Sequence, residues 1–114
     1  PMWVPLIENN EFDGPGADYF VQKHVDALLR QSADIDAIIL GCTHYPLMWN
    51  KIRQYVPDSI RLLAQGDIVA ESLADYLQRH PEMDALCRRG GNQSFYTTES
   101  AEDFDAKAGM FFGR

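Results

Sequence analysis

Ala37-Ile38-Ile39-Leu40-Gly41-Cys42-Thr43-His44-Tyr45-Pro46-Leu47 is the stretch that decides the fold. Its first four residues are apolar, which predicts a short strand buried on both faces. Pro46 suits the first turn of a helix, so we expect Gly41 to Tyr45 to form a tight strand-to-helix turn. Unpaired N–H groups at the start of that helix would stabilise a thiolate over a thiol at Cys42. The sequence therefore predicts a reactive cysteine in this turn.

Helical spacing of apolar residues predicts longer helices around the turn. They cover about residues 17–31, residues 46–55 and the segment that begins at Gly66. Asp67 is expected to cap the last of these, which should end at His80-Pro81. The residues expected on its buried side are Ile68, Val69, Leu73, Tyr76 and Leu77.

Shorter segments complete the predicted order. Residues 2–7 are apolar but contain Pro5, which indicates a strand end or an extended lead into a loop. Residues 59–63 and 94–98 are predicted to be strands, and residues 81–93 a short helical turn followed by a loop.

The final helix is predicted from its start. Ser100 and Asp103 resemble a capping box, in which Asp is a weaker variant of Glu. Strands that alternate with helices predict an α/β fold, with a parallel sheet and helices on both faces.

The composition is that of a packed protein with an acidic surplus. Charged residues make up 24% of the 114 residues and hydrophobic ones 46%, which argues against general disorder. The formal net charge of -7 argues against nucleic acid and anionic membrane surfaces as partners. No apolar run approaches the roughly 20 residues of a membrane span. Because the chain begins at Pro1 rather than at a methionine, we expect it to be a fragment.

The cysteines, Cys42 and Cys87, do not form a disulfide framework, which fits a reducing cytoplasm. No role is assigned to Cys87. Cys42 is open to two interpretations, a buried core cysteine or a reactive thiol, and the neighbouring Thr43 and His44 favour a small-anion site. A metal site is disfavoured, because further Cys or His residues at zinc-binding spacing are missing.

Gly41-Cys42-Thr43-His44-Tyr45-Pro46-Leu47 resembles the second-cysteine signature of glutamate racemase, a cofactor-independent amino-acid racemase. Val4-Pro5-Leu6-Ile7-Glu8 resembles the segment that places an acidic residue in that family's active site. The Ala64-Gln65-Gly66 turn and the Phe95-Tyr96-Thr97-Thr98 segment follow the family's C-terminal order. Aspartate racemases often carry Glu in place of His44, so this residue favours glutamate.

The resemblance implies specific roles. Cys42, His44 and Glu8 would be catalytic: Cys42 would exchange the α-proton on one face of the substrate, His44 would assist, and Glu8 would orient His44 or balance its charge. Thr43 would bind a substrate carboxylate. Neither a cofactor nor a metal would take part.

The resemblance also implies a two-lobed α/β organisation with the active site between the lobes. Residues 1–65 would belong to the second, C-terminal lobe, and residues 66–114 would return to complete the first. The family's other cysteine lies in an Ala-Cys-Asn-Thr motif that this sequence lacks. A missing N-terminal half is therefore the expected partner, and the isolated chain is expected to be inactive and to self-associate.

The whole enzyme would act on glutamate as a cytoplasmic homodimer and supply D-glutamate for peptidoglycan synthesis. Neither nucleic acid nor a membrane is an expected partner. Two alternatives stay open: an aspartate or related amino-acid racemase, and a non-catalytic α/β domain with a core cysteine.

Overall fold

A computed structural model describes residues 2–112 of the chain, with side chains up to residue 111. The chain forms two compact units, Pro1–Ile68 and Val69–Arg114. The elements of the first unit, in chain order, are α1 (Trp3–Glu8), α2 (Pro15–Leu29), β1 (Ala37–Ile39), a 3₁₀ turn (Tyr45–Met48), α3 (Trp49–Tyr55) and β2 (Arg61–Leu63). Helix α4 (Gln65–Arg79) begins in the first unit and continues into the second, where α5 (Pro81–Asp84) and α6 (Ala101–Phe112) follow.

The sheet of the first unit is a parallel pair. Ile38 lies opposite Leu62, and this register runs the length of β1 and β2. Leu40 N–H extends the ladder by donating to the Leu63 carbonyl at 2.8 Å. Parallel neighbours need a crossover connection, which the 3₁₀ turn and α3 provide. The predicted parallel α/β class is confirmed.

The core of the first unit lies between its helices and the strand pair. Helix α2 contributes Ala17, Val21 and Val25, whose four-residue spacing places them on one face. The largest fully buried side chains are Ile7, Val21, Met48 and Ile52. Helices α1, α2 and α3 therefore share one apolar core.

The predicted extended segment at residues 2–7 is wrong, because these residues form α1. Trp3 and Ile7 are buried, whereas Pro5 between them is exposed, which fits a helical period rather than a strand. Pro5 is the third helical residue, and the first turn has no partner for its missing N–H. Asn10 follows with a φ of 58°, a left-handed conformation that Asn tolerates.

Strand β1 is not buried on both faces as predicted. Ile39 is 64% exposed, whereas Leu40 is buried. The face of β1 that carries Ile39 therefore lacks cover, and in the described sheet β2 is the only strand paired with β1. The predicted strand at residues 94–98 is also wrong, since this segment is irregular. A strand needs a partner, and the described part of the second unit contains no other strand.

Helix α4 differs from the prediction at its start and on its apolar face. It begins at Gln65, so Asp67 lies in the first turn rather than at the cap, where its charge still favours the helix dipole. The residues expected to be buried are not, and Val69 is 61% exposed. The predicted helix end before His80 and the helical turn after it are confirmed.

The Ser100 half of the predicted capping box at the start of α6 is confirmed. Asp103 N–H donates to the Ser100 hydroxyl at 3.3 Å, and Phe104 N–H donates to the Ser100 carbonyl at 3.1 Å. The first bond satisfies an amide that a helix start leaves unpaired, and the second is the first hydrogen bond of the helix itself.

A buried lysine joins α3 to α2 and to the loop before α2. The Lys51 side chain is 10% exposed, and its Nζ lies 2.7 Å from Asp18 Oδ1 and 3.3 Å from Asp13 Oδ1. Tyr55 donates a further hydrogen bond to Asp18, at 3.1 Å. The hydrogen bond between Lys51 and Asp18 lowers the pKa of Asp18 and raises the pKa of Lys51.

This cluster predicts how stability depends on pH. Asp18, with its lowered pKa, stabilises the fold above its ordinary value of 3.8, and this contribution is lost as pH falls through the lower folded value. Lys51, with its raised pKa, stabilises the fold below 10.5, and this contribution is lost as pH rises through the higher folded value. Asp18→Asn should therefore destabilise the chain at neutral pH, with a difference from wild type that shrinks at both extremes.

Urea unfolding at a series of pH values measures this difference. Asp26→Asn is the matched control, since Asp26 lies on the same helix but forms no ion pair with a described side chain. A difference for Asp18→Asn that stays constant across the pH range would contradict the prediction.

The exposed apolar side of α4 predicts self-association. Ile68, Val69 and Leu73 are each more than half exposed, and such a patch favours association. Light scattering should give a mass that rises above 13.0 kDa with concentration. Leu73→Lys should weaken this association without unfolding the chain. A single 13.0 kDa species at every concentration would count against the prediction.

Candidate active site

The turn after β1 brings the cysteine and histidine to the carboxyl end of the strand. Gly41 N–H donates to the Ile39 carbonyl at 3.0 Å, and Tyr45 N–H donates to the Cys42 carbonyl at 3.2 Å. Pro46 lies in the 3₁₀ turn that follows, so the predicted strand-to-helix turn is confirmed, with a first turn that is tighter than an α-helix. In open α/β sheets this edge is where ligands bind.

The predicted site residues meet around one imidazole. Cys42 Sγ lies 3.9 Å from His44 Nδ1, and Thr43 Oγ1 lies 3.5 Å from the same nitrogen. On the other side of the ring, Nε2 lies 3.4 Å from Glu8 Oε1. The structure therefore brings Cys42, Thr43, His44 and Glu8 together, although Glu8 comes from a distant element.

The Glu8 carboxylate determines which imidazole nitrogen of His44 carries the hydrogen. It therefore determines whether the nitrogen that faces the thiol can accept a proton. An ionised carboxylate only accepts hydrogen bonds, so Glu8 favours the tautomer with hydrogen on Nε2. The Nδ1 lone pair of His44 then faces Cys42 and Thr43 and can accept a proton from the thiol. The arrangement can move a proton between sulfur and imidazole.

The contact between Glu8 and His44 orients the ring more than it stabilises the fold. Their side chains are 47% and 34% exposed. Exposed ion pairs contribute only about 0.2–1 kcal/mol. Something else must position the helix that carries Glu8.

Trp3 provides that positioning, a role that was not predicted from the sequence. Its indole Nε1 donates to the Phe20 carbonyl on α2 at 3.2 Å. Its ring meets Tyr45 edge-on, with centroids 4.8 Å apart, and His24 at 6.0 Å. Trp3 therefore fixes α1 against both α2 and the residue next to His44. The four-residue spacing of Trp3 and Ile7 before Glu8 was the available sequence signal.

Tyr45 packs beside an apolar cavity of about 210 Å³ behind the turn. Its other lining residues include Trp3, His24, Leu28, Ile38 and Ile52. Burial raises the pKa of Tyr45, and the negative charge of Cys42 raises it further. The phenol therefore resists ionisation beside the thiol.

The remaining candidates for chemistry make other contacts. Cys87 is exposed, and its thiol donates to the Met83 carbonyl at 3.6 Å. His80 pairs with Glu82 at 3.1 Å.

Within residues 2–112, no group of three or more His, Cys, Asp or Glu side chains is arranged to hold a metal ion. None of the described helices has the length and hydropathy needed to cross a membrane.

Comparison with known proteins gives a consistent result, although no protein-family model matches the sequence. Glutamate racemases from Ruegeria sp. and Roseobacter denitrificans are 43% and 42% identical over 98 residues, which is 86% of this chain. The crystal structure of glutamate racemase isoform RacE1 from Bacillus anthracis matches 100% of this chain with a TM-score of 0.82 and 27% identity. The chain is similar to glutamate racemases in both sequence and fold.

The similarity covers only part of each relative. The chain spans 35% of the length of both curated glutamate racemases and 41% of the RacE1 chain. The resemblance to glutamate racemase that the Gly41–Leu47 segment indicated is confirmed over this part.

The electrostatic effect of Cys42 on the Tyr45 phenol predicts a measurable coupling. Cys42→Ser removes the thiolate charge and should lower the pKa of Tyr45. The pKa should still stay above 10.0, because burial is the larger cause of its rise. Ring-carbon NMR of labelled tyrosine during a pH titration measures this.

Cys87→Ser serves as the control and should leave the titration of Tyr45 unchanged. The prediction fails if Cys42→Ser has no effect on Tyr45, or if it returns the pKa fully to 10.0.

Proposed function

We propose that this chain is part of a glutamate racemase and supplies one of two catalytic thiols. The observation that carries the proposal is the contact series from Cys42 through His44 to Glu8, at 3.9 Å and 3.4 Å. The similarity to glutamate racemases supports the same reaction class.

The proposed reaction interconverts L- and D-glutamate by proton transfer on two faces. The Cys42 thiolate removes the α-proton from one face, which breaks the C–H bond, forms an S–H bond and leaves a carbanion. A second thiol then donates a proton to the opposite face. In the reverse direction the two thiols exchange roles, and no cofactor is needed.

His44 and Glu8 assist proton transfer to and from the Cys42 thiol. The Nδ1 atom of His44 takes the thiol proton to form the thiolate and returns it later. Glu8 holds the ring in the tautomer that leaves Nδ1 free, and its charge balances the imidazolium.

Thr43 is proposed to bind a substrate carboxylate. Its hydroxyl is exposed and lies on the same side of the ring as the thiol. Because the α-proton of an amino acid is poorly acidic, donors to the carboxylate must offset the cost of the carbanion. Losing one such donor can cost about 10²–10³ in rate.

The second thiol is proposed to come from residues outside this sequence. The relatives are much longer than this chain, and Cys87 contacts a carbonyl rather than an imidazole. We propose that residues 1–65 belong to the second lobe and residues 66–114 complete the first. The end of the first compact unit at Ile68 fits this assignment. The whole enzyme would be a cytoplasmic homodimer that supplies D-glutamate for peptidoglycan synthesis.

The alternatives receive less support. Partial exposure of Cys42 and its contact with His44 argue against a core cysteine in a non-catalytic domain. An aspartate racemase would often have Glu at the position of His44.

The proposal predicts a difference between this chain and its longer form. The isolated 114-residue chain should produce no D-glutamate from L-glutamate, because the second thiol that the proposed reaction needs is proposed to lie outside it. The longer protein read from the upstream coding sequence should racemise glutamate and not aspartate. Chiral chromatography of both amino acids measures this.

Variants of the longer protein test the residue roles. Cys42→Ala should reduce the rate by about 10²–10⁴, the range for losing a general acid or base. Cys87→Ala is the matched control and should keep its activity. D-glutamate formation by the isolated chain, or faster turnover of aspartate by the longer protein, would contradict the proposal.

A further inference from the structure

The first unit contains a nucleophile, a base and an orienting carboxylate in series. Cys42 Sγ faces His44 Nδ1 at 3.9 Å, and Glu8 Oε1 faces Nε2 at 3.4 Å. This order of groups is the one that activates thiols and hydroxyls for attack on acyl carbon. Proton transfer on two faces of a substrate needs a second thiol, whereas nucleophilic attack needs only this one.

We propose that Cys42 is also a nucleophile towards small, neutral, activated esters and forms a thioester with their acyl group. This reactivity does not depend on the proposed racemase function, because every group it uses lies within Pro1–Ile68. Neutral esters are the class proposed because they carry no carboxylate, so their attack needs no carboxylate-binding donors beyond this unit.

Groups of the first unit account for every bond and proton in this step. His44 Nδ1 accepts the thiol proton, and Cys42 sulfur attacks the carbonyl carbon. A C–S bond forms, the C–O bond to the leaving group breaks, and the leaving group departs as an alkoxide or phenolate. Glu8 offsets the positive charge on His44 while the proton remains there.

The site is open to such reagents. Cys42 is partly exposed, and the side chains of His44 and Glu8 are 34% and 47% exposed. Thr43 Oγ1 also faces Nδ1, but a thiol ionises far more readily than a hydroxyl, so sulfur is the group that reacts.

Cys87 provides a comparison for the reactivity of Cys42 within the same chain. It is more exposed than Cys42, yet its thiol donates to a carbonyl, which cannot take up the proton. If exposure alone decided reactivity, Cys87 would react faster. If the imidazole decides it, Cys42 reacts faster.

The test treats the 114-residue chain with p-nitrophenyl acetate near neutral pH. Release of p-nitrophenolate gives the rate, and peptide mass mapping locates the acetyl group. Cys42 should be acylated about 10²-fold faster than Cys87, the lower end of what a positioned base contributes. His44→Gln should remove most of this advantage, and Glu8→Gln a smaller part. Cys87→Ser should leave the rate at Cys42 unchanged.

The same reaction in denaturant provides the reference state. Both cysteines should then react at the same rate, so a variant that unfolds is recognised by equal rates and a lost circular dichroism signal. Glu8→Gln changes only an exposed side chain and keeps the test decisive if His44→Gln unfolds. Equal acylation of both cysteines in the folded chain overturns the proposal, as does a rate at Cys42 that folded His44→Gln and Glu8→Gln leave unchanged.

Discussion

The edge-on contact between Trp3 and Tyr45 joins the two parts of the chain that form the candidate site. Trp3 is at the start of α1, which ends at Glu8, and Tyr45 directly follows His44. An aromatic pair of this kind adds about 0.5–1.5 kcal/mol beyond the burial of its area. An exposed ion pair adds only about 0.2–1 kcal/mol. Packing of Trp3 therefore brings Glu8 to His44, and the charge pair only orients the ring.

A second restraint acts beyond the other end of α1. The loop after Glu8 is held by Lys51, whose ammonium contacts both the carboxylate and the backbone carbonyl of Asp13 at 3.3 Å. Lys51 is itself held in place by burial and by its shorter ion pair with Asp18, at 2.7 Å, so it anchors the loop firmly. Glu8 thus lies between the packing of Trp3 on one side and an anchored loop on the other. An exposed carboxylate can keep a defined position when the backbone on both sides is fixed.

The sequence predicts the part of the site that is local and misses the part that depends on packing. Cys42 and His44 are two residues apart, so one turn suffices to bring them together. Glu8 was identified only through a family resemblance. Its helix was predicted as extended because Pro5 interrupts the apolar run, although Pro is tolerated in the first turn of a helix. Residues 94–98 carry strand-forming aromatic side chains, but strand formation also requires a neighbour that no local pattern can supply.

The weakness of the contact between Glu8 and His44 suits a reversible proton transfer. In the proposed racemisation, Cys42 must act as a base in one direction and as an acid in the other. A buried carboxylate would hold the imidazolium and thiolate together and disfavour the return of the proton. At 3.4 Å, with both side chains partly exposed, solvent screens the pair, so Glu8 holds the imidazolium only weakly. Because the contact is weak, His44 can also release the proton that it took from the thiol once Cys42 is acylated. One turn can therefore serve both racemisation and acylation.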